Sequence, residues 1–108
     1  MREVKDDSAL IAALPARAKL VVLDARGDVL SSEDIAKKIV GAAEQHGGGA
    51  PLVFAIGGAE GFGDAVRRRA ERMVAFGRIT LPHRLARIVL LEQLYRAYAI
   101  LRGEPYHK

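Results

Sequence analysis

Two histidines sit where a side chain could move a proton. His83 lies in FGRITLPHRLAR, residues 76–87, beside a glycine and a proline, and His107 stands between Tyr106 and Lys108 in the closing GEPYHK. Imidazole ordinarily titrates near neutrality, so either ring has the pKa that a general base needs. Residue type alone leaves both open, because a lone histidine is also a common structural residue and a polar tail commonly frays. The third histidine is His46 and there is no cysteine, so positions 46, 83 and 107 offer no ligand spacing and no metal is expected.

A second signal comes from backbone rather than side chains. FAIGGAEG, residues 54–61, runs an apolar segment into Gly57, Gly58 and Gly61. Glycines gather where a backbone turns sharply or comes very close to something else. A dinucleotide fingerprint needs G-x-G-x-x-G, whereas Gly58 starts the reverse order, G-x-x-G-x-G, with no acidic residue placed to end a following strand. A phosphate loop needs Gly-Lys-Ser/Thr, and no lysine occurs between Lys38 and Lys108. Both nucleotide-phosphate readings fail, and by itself the loop reads as a tight turn packed on a helix.

The elements that must position these residues follow from the apolar pattern. Residues 8–14 form a short helical pattern stopped by Pro15, and KLVVL, residues 19–23, reads as a buried strand. DARGD, residues 24–28, is turn chemistry. Ser31 with Asp34 makes a capping-box start to a helix with Ile35, Ile39, Val40 and Ala43 on one face, which QHGGG, residues 45–49, ends. LVFAI, residues 52–56, is the second strand; residues 64–72 are basic and helical; residues 73–76 make a short third strand broken by Gly77. Pro82 suits the first turn of a last helix that runs to about Arg102, with Gly103 as its stop. Strands alternating with helices imply an α/β fold with a largely parallel sheet. The last helix carries apolar residues over more than one face, so it is expected to be covered on two sides, either by another subunit or as a central helix within a monomer.

With 108 residues, half of them hydrophobic, the chain has the size of one domain with one core. The opening MREVKDD is not a signal peptide and no apolar run approaches bilayer-spanning length, so a cytoplasmic protein with no membrane role is expected. Charge is divided: residues 1–66 carry seven Lys/Arg against ten Asp/Glu, and residues 67–108 carry ten against three. Basic charge gathered in one part of a fold is the footprint of a polyanion partner, or else a solvated basic face.

Read together, several stretches resemble one family. IGGAEG (56–61), TLPHRLAR (80–87), EQLYRA (92–97) and PYHK (105–108), with LDARG (23–27) between elements, are similar to the knotted, SPOUT-class methyltransferases that act on pseudouridine of large-subunit ribosomal RNA. The resemblance covers essentially the whole chain. It implies a small α/β domain, a mostly parallel sheet flanked by helices, with its C-terminal part threaded into a trefoil knot and working as a homodimer. Patterning alone would not suggest a knot, since true knots are almost absent from ordinary folds.

The resemblance further implies S-adenosylmethionine as methyl donor, contacted by Leu23, Gly57, Phe76, Gly77, Arg78, Ile79, Thr80 and Leu81. On this reading the backbone thins at Gly57 so that an uncharged adenosine can lie against it. Tyr106, His107 and Lys108 match the family's substrate-side ending and fall beside the target base. Arg84, Arg87 and Lys108 are then suited to hold phosphates or to stabilise negative charge. The expected partner is 23S ribosomal RNA, free or within the assembled ribosome, and not DNA. Residues 1–108 correspond to a single domain lacking roughly the opening third of the family's usual length, whose loss would expose a strand edge and apolar surface. A non-catalytic RNA- or ribosome-binding remnant of the family, and a small-molecule-binding α/β protein, are the competing readings.

Overall fold

The computed structural model describes residues 6–46, 48–57, 61–77 and 82–104. Three strands, β1 (Lys19–Val29), β2 (Leu52–Ile56) and β3 (Arg72–Ala75), form a parallel sheet in the order β2-β1-β3. The helices are α1 (Asp7–Ala13), α2 (Ser32–Asp34) running into a π-helical stretch, π1 (Ile35–Gly41), and α3 (Ala42–His46), then α4 (Asp64–Arg69) and α5 (His83–Leu101).

A parallel strand is covered on both faces, which is why KLVVL reads as an unbroken apolar run. Alternate residues of β1 enter two cores. Leu20 and Val22 pack with Leu10 of α1, Ala55 of β2 and Val66 of α4. Val21 and Leu23 pack on the other face with Ile35, Ala36, Ile39, Val40, Val74 and Ala97. Leu20 and Val22 are fully buried, and each such side chain contributes about 1.5–3 kcal/mol relative to exposure. The result is a three-layer arrangement, with α1 and α4 on one side and π1 with α5 on the other.

Local signals explain the helix ends. Asp6 accepts from the Ala9 amide at 2.8 Å to cap α1, and Ser31 and Asp34 close the expected capping box on α2. Pro82 caps α5 and precedes its first turn. Gly103, at φ +73°, stands just beyond its last turn. The basic helix is shorter than the sequence pattern, ending at Arg69, because Arg72 already pairs with Val21 in the sheet.

The turn chemistry expected at residues 24–28 falls inside β1 rather than ending it. β1 continues through it, Leu23 and Asp28 both standing opposite Val74 and Val29 opposite Ala75. Residues 24–27 form a bulge in an otherwise extended strand. These residues leave the ladder and rejoin it at the same partner, held by the Asp24–Arg26 ion pair and by the Arg26 amide donating to the Asp24 carboxylate.

α5 is apolar on two faces. Ala86 and Ala97, with partly buried Leu90, Leu94 and Ile100, face the core. Away from the core, Leu85, Ile88, Leu91, Tyr95 and Tyr98 are exposed at three- and four-residue spacing. Among the described residues the outer edge of β2 has no strand partner, and a cleft of about 580 Å³ lies beside it between α1 and α5.

Ala36 and Ala97 are wholly buried where α5 meets π1. Ala97→Leu is expected to overpack this contact and cost about 1–3 kcal/mol, read as a lower urea midpoint; an unchanged midpoint would mean that α5 does not close on π1.

Candidate functional site

Because the strands are parallel, their exits share one edge, where α/β folds bind ligands. The helix that follows β1 packs on one face and the helix that follows β2 on the other. The two exits therefore diverge and leave a crevice between the end of β1 and the loop after β2.

Asp24 stands in that crevice as the buried charged residue of the described core. Its Oδ1 accepts from the Arg26 amide at 2.9 Å and from Arg26 Nε at 2.9 Å, and its Oδ2 accepts from Arg26 Nη2 at 2.7 Å. The Arg26 guanidinium holds the carboxyl well below the usual carboxylate range, aided by the Arg26 and Phe62 amides, against the opposing effect of burial. Reciprocally, Asp24 raises the pKa of Arg26. The D-x-R spacing lets the Asp24 carboxylate take the amide two residues on, as in an Asx turn, and the side chain of that same residue.

Arg26 also reaches across the crevice, Nη2 donating to the Phe62 carbonyl at 3.2 Å. On the other side of that loop the Gly63 amide donates to Asp7 Oδ2 at 2.7 Å. Gly61 lies against the ion pair, at φ +73°, and a Cβ there would sit 2.8 Å from Asp24 Oδ2 and 2.9 Å from Arg26 Nη2. A Cβ on Gly57 would meet the Phe62 ring at 3.1 Å and Gly61 Cα at 3.3 Å. The first close neighbours of both glycines are thus other parts of the chain, folded back by the loop.

The remaining strand exit carries Phe76, partly buried against the core, and Gly77, at φ +110° with open space where a Cβ would be. α5 begins nearby: His83 Nε2 lies 3.3 Å from the Ile56 carbonyl and donates to it in the tautomer protonated there. His83 and Arg87 line the same end of the cleft as Ile56 and Phe62.

The sequence profile described as "Predicted SPOUT methyltransferase" matches residues 1–107. The chain belongs to the SPOUT methyltransferase family. It is 53% identical over 107 residues to a protein of Xanthobacter autotrophicus named Ribosomal RNA large subunit methyltransferase H, covering 99% of this chain and 66% of that protein. Similar proteins of the same name occur in Geotalea uraniireducens, at 49% identity with 99% and 68% covered, and in Paramagnetospirillum magneticum, at 44% identity with 98% and 68% covered. The chain spans about two thirds of the length of these relatives.

Of the residues expected in a SPOUT cofactor site, Gly57 follows the end of β2, Phe76 and Gly77 follow the end of β3, and Leu23 lies within β1 just before the bulge. Leu23 directs its side chain into the core, leaving its backbone at the edge. Arg78, Ile79, Thr80, Leu81, Tyr106, His107 and Lys108 lie outside the described residues. Arg84 is exposed on the first turn of α5, one turn before Arg87. The sequence reading missed Asp24, Arg26, Phe62 and Asp7. Among the described residues there is no group of three or more His, Asp or Glu placed to hold a metal, and no helix long and apolar enough to cross a membrane.

Since the folded pKa of Asp24 is depressed, its contribution to stability is complete above the unfolded value of about 3.9 and is lost as pH falls toward the folded one. Asp24→Asn is therefore expected to lower stability by roughly 1–3 kcal/mol at neutral pH. The gap should narrow below about pH 4, as urea midpoints at pH 7 and pH 3 would show. An equal gap at both would contradict a charged native Asp24.

Proposed function

We propose that this chain transfers a methyl group from S-adenosylmethionine to N3 of a pseudouridine in 23S ribosomal RNA, acting on the assembled ribosome in the cytoplasm. The observation that carries the reading is the family match along nearly the entire chain, joined by relatives named as large-subunit ribosomal RNA methyltransferases. Residues 1–108 are read as a single SPOUT domain whose C-terminal part is threaded as a trefoil knot.

The described part of the edge suits an uncharged adenosine. It offers backbone after β2 and β3 and before the β1 bulge, apolar Leu23, Ile56 and Phe76, and open space at Gly77, with the nearby carboxylate and guanidinium already paired. When bound, the donor supplies an electrophilic methyl group on a sulfonium. Positioning and exclusion of water by the apolar residues of the edge supply much of what an in-line displacement requires. The accepting nitrogen must lose a proton, a task assigned to His107, with Tyr106 beside the base and Lys108 favouring the anion. Arg84 and Arg87 hold phosphates.

Calorimetric titration with S-adenosylmethionine, followed by methyl incorporation into ribosomes lacking the modification, tests this directly. Removal of Tyr106–Lys108 is expected to abolish transfer while leaving donor affinity within about three-fold. Loss of donor binding with the tail would contradict these roles, and ribosome binding without any transfer by the intact chain would favour the non-catalytic remnant.

The exposed stripe on α5 is read as the surface of a homodimer. Ile88 and Tyr95, 61% and 60% exposed, are large side chains about two turns apart on that stripe. Ile88→Asp with Tyr95→Asp is expected to turn a dimer into a folded monomer in sedimentation equilibrium; a dimer that survives both changes would move the interface elsewhere.

A further inference from the structure

We propose that Asp24 and Arg26 are a positioning pair that sets the glycine loop after β2 and, through it, the affinity for the methyl donor. The inference rests on reading the strand-end edge as the donor site. Three observations converge on residues 61–63. Arg26 donates to the Phe62 carbonyl, Gly61 abuts the carboxylate with no room for a side chain, and Asp7 holds the Gly63 amide from the opposite side. The loop is thereby fastened to β1 on one flank and to α1 on the other.

The chain pays for burial of a carboxylate only if partners surround it, and here the partners include the loop itself. Phe62 meets the pair through its carbonyl and amide and meets Gly57 through its ring. Displacing the pair therefore displaces Phe62, and with it the surface beside Gly57 against which a ligand would rest. A rigid fastening lowers the ordering cost of binding, whereas a loose loop has to be ordered by the ligand.

Asp24→Asn, Arg26→Gln and the milder Arg26→Lys test this in the full chain, with Gly61→Ala as an independent way of pushing loop and pair apart. Backbone hydrogen exchange, without any ligand, is expected to accelerate at Phe62 and Gly63 relative to the β1 amides. Donor dissociation constants are expected to rise about tenfold or more in the Asn, Gln and Ala variants and less with Arg26→Lys. Unchanged exchange at Phe62 and Gly63 would overturn the fastening. Faster exchange with unchanged donor affinity would overturn the positioning role while leaving the donor site intact. Failure of the unaltered chain to bind S-adenosylmethionine would instead remove the site reading, and this inference with it.

Discussion

A parallel strand cannot be joined to its neighbour by a tight turn; the chain must cross over and re-enter from the same end. In this molecule that constraint acts on β1, which has hydrogen-bonded neighbours on both sides. Its pairing with β2 brings Leu23 opposite Ile56, and its pairing with β3 brings Leu23 opposite Val74. The ends of β2 and β3 are thus held level with the start of the bulge in β1. The polar bulge can then sit just beyond Leu23, where a carboxylate can reach the loop leaving β2.

The two cores reinforce this placement from opposite faces. Val66 and Leu10 press on Leu20 and Val22, while Ala97 and π1 press on Val21 and Leu23. A shift of β1 by one residue would exchange the two sets. Both would then meet the wrong neighbours, so register is strongly specified although the sheet has three strands. Polar contacts at the periphery act in the same sense. Ser32 Oγ donates to Gln93 Oε1 at 2.5 Å between α2 and α5, and Arg69 donates to the Ala18 carbonyl at 2.6 Å ahead of β1.

Most elements were legible because they carry short-range signals. KLVVL and LVFAI are compact apolar runs, Ser31 and Asp34 form a box within four residues, and Pro82 and Gly103 bracket α5. DARGD misleads because its composition is that of a turn. What keeps it within β1 is a bond to Phe62, 36 residues from Arg26, and the ladder to Val74 and Ala75 that resumes after it. No local pattern encodes either. The same distinction separates the glycine loop from its reason: spacing shows that close approach is needed, but only the fold shows Asp24, Arg26 and Phe62 as the neighbours. Threading of a knot is more remote still from local pattern, and only the family resemblance introduces it.

Charge is treated differently at the surface and at the strand-end edge. Of the basic residues after position 66, Arg67 and Arg96 pair with Asp64 and Glu92, and Arg69 is tied to the backbone; Arg68 and Arg84 remain at the surface. Arg68 on α4 and Arg84 on α5 lie on opposite sides of the sheet, so these exposed arginines do not share one face. At the strand-end edge, free charge would be a liability. A free carboxylate beside a sulfonium would favour the charged ground state, and that charge disappears during methyl transfer, so such an attraction would oppose the reaction rather than assist it. Pairing Asp24 with Arg26 lets the carboxylate fasten the loop by hydrogen bonds while keeping the local charge balanced. On the proposed reading, the same ion pair gives the edge its rigidity and its neutrality.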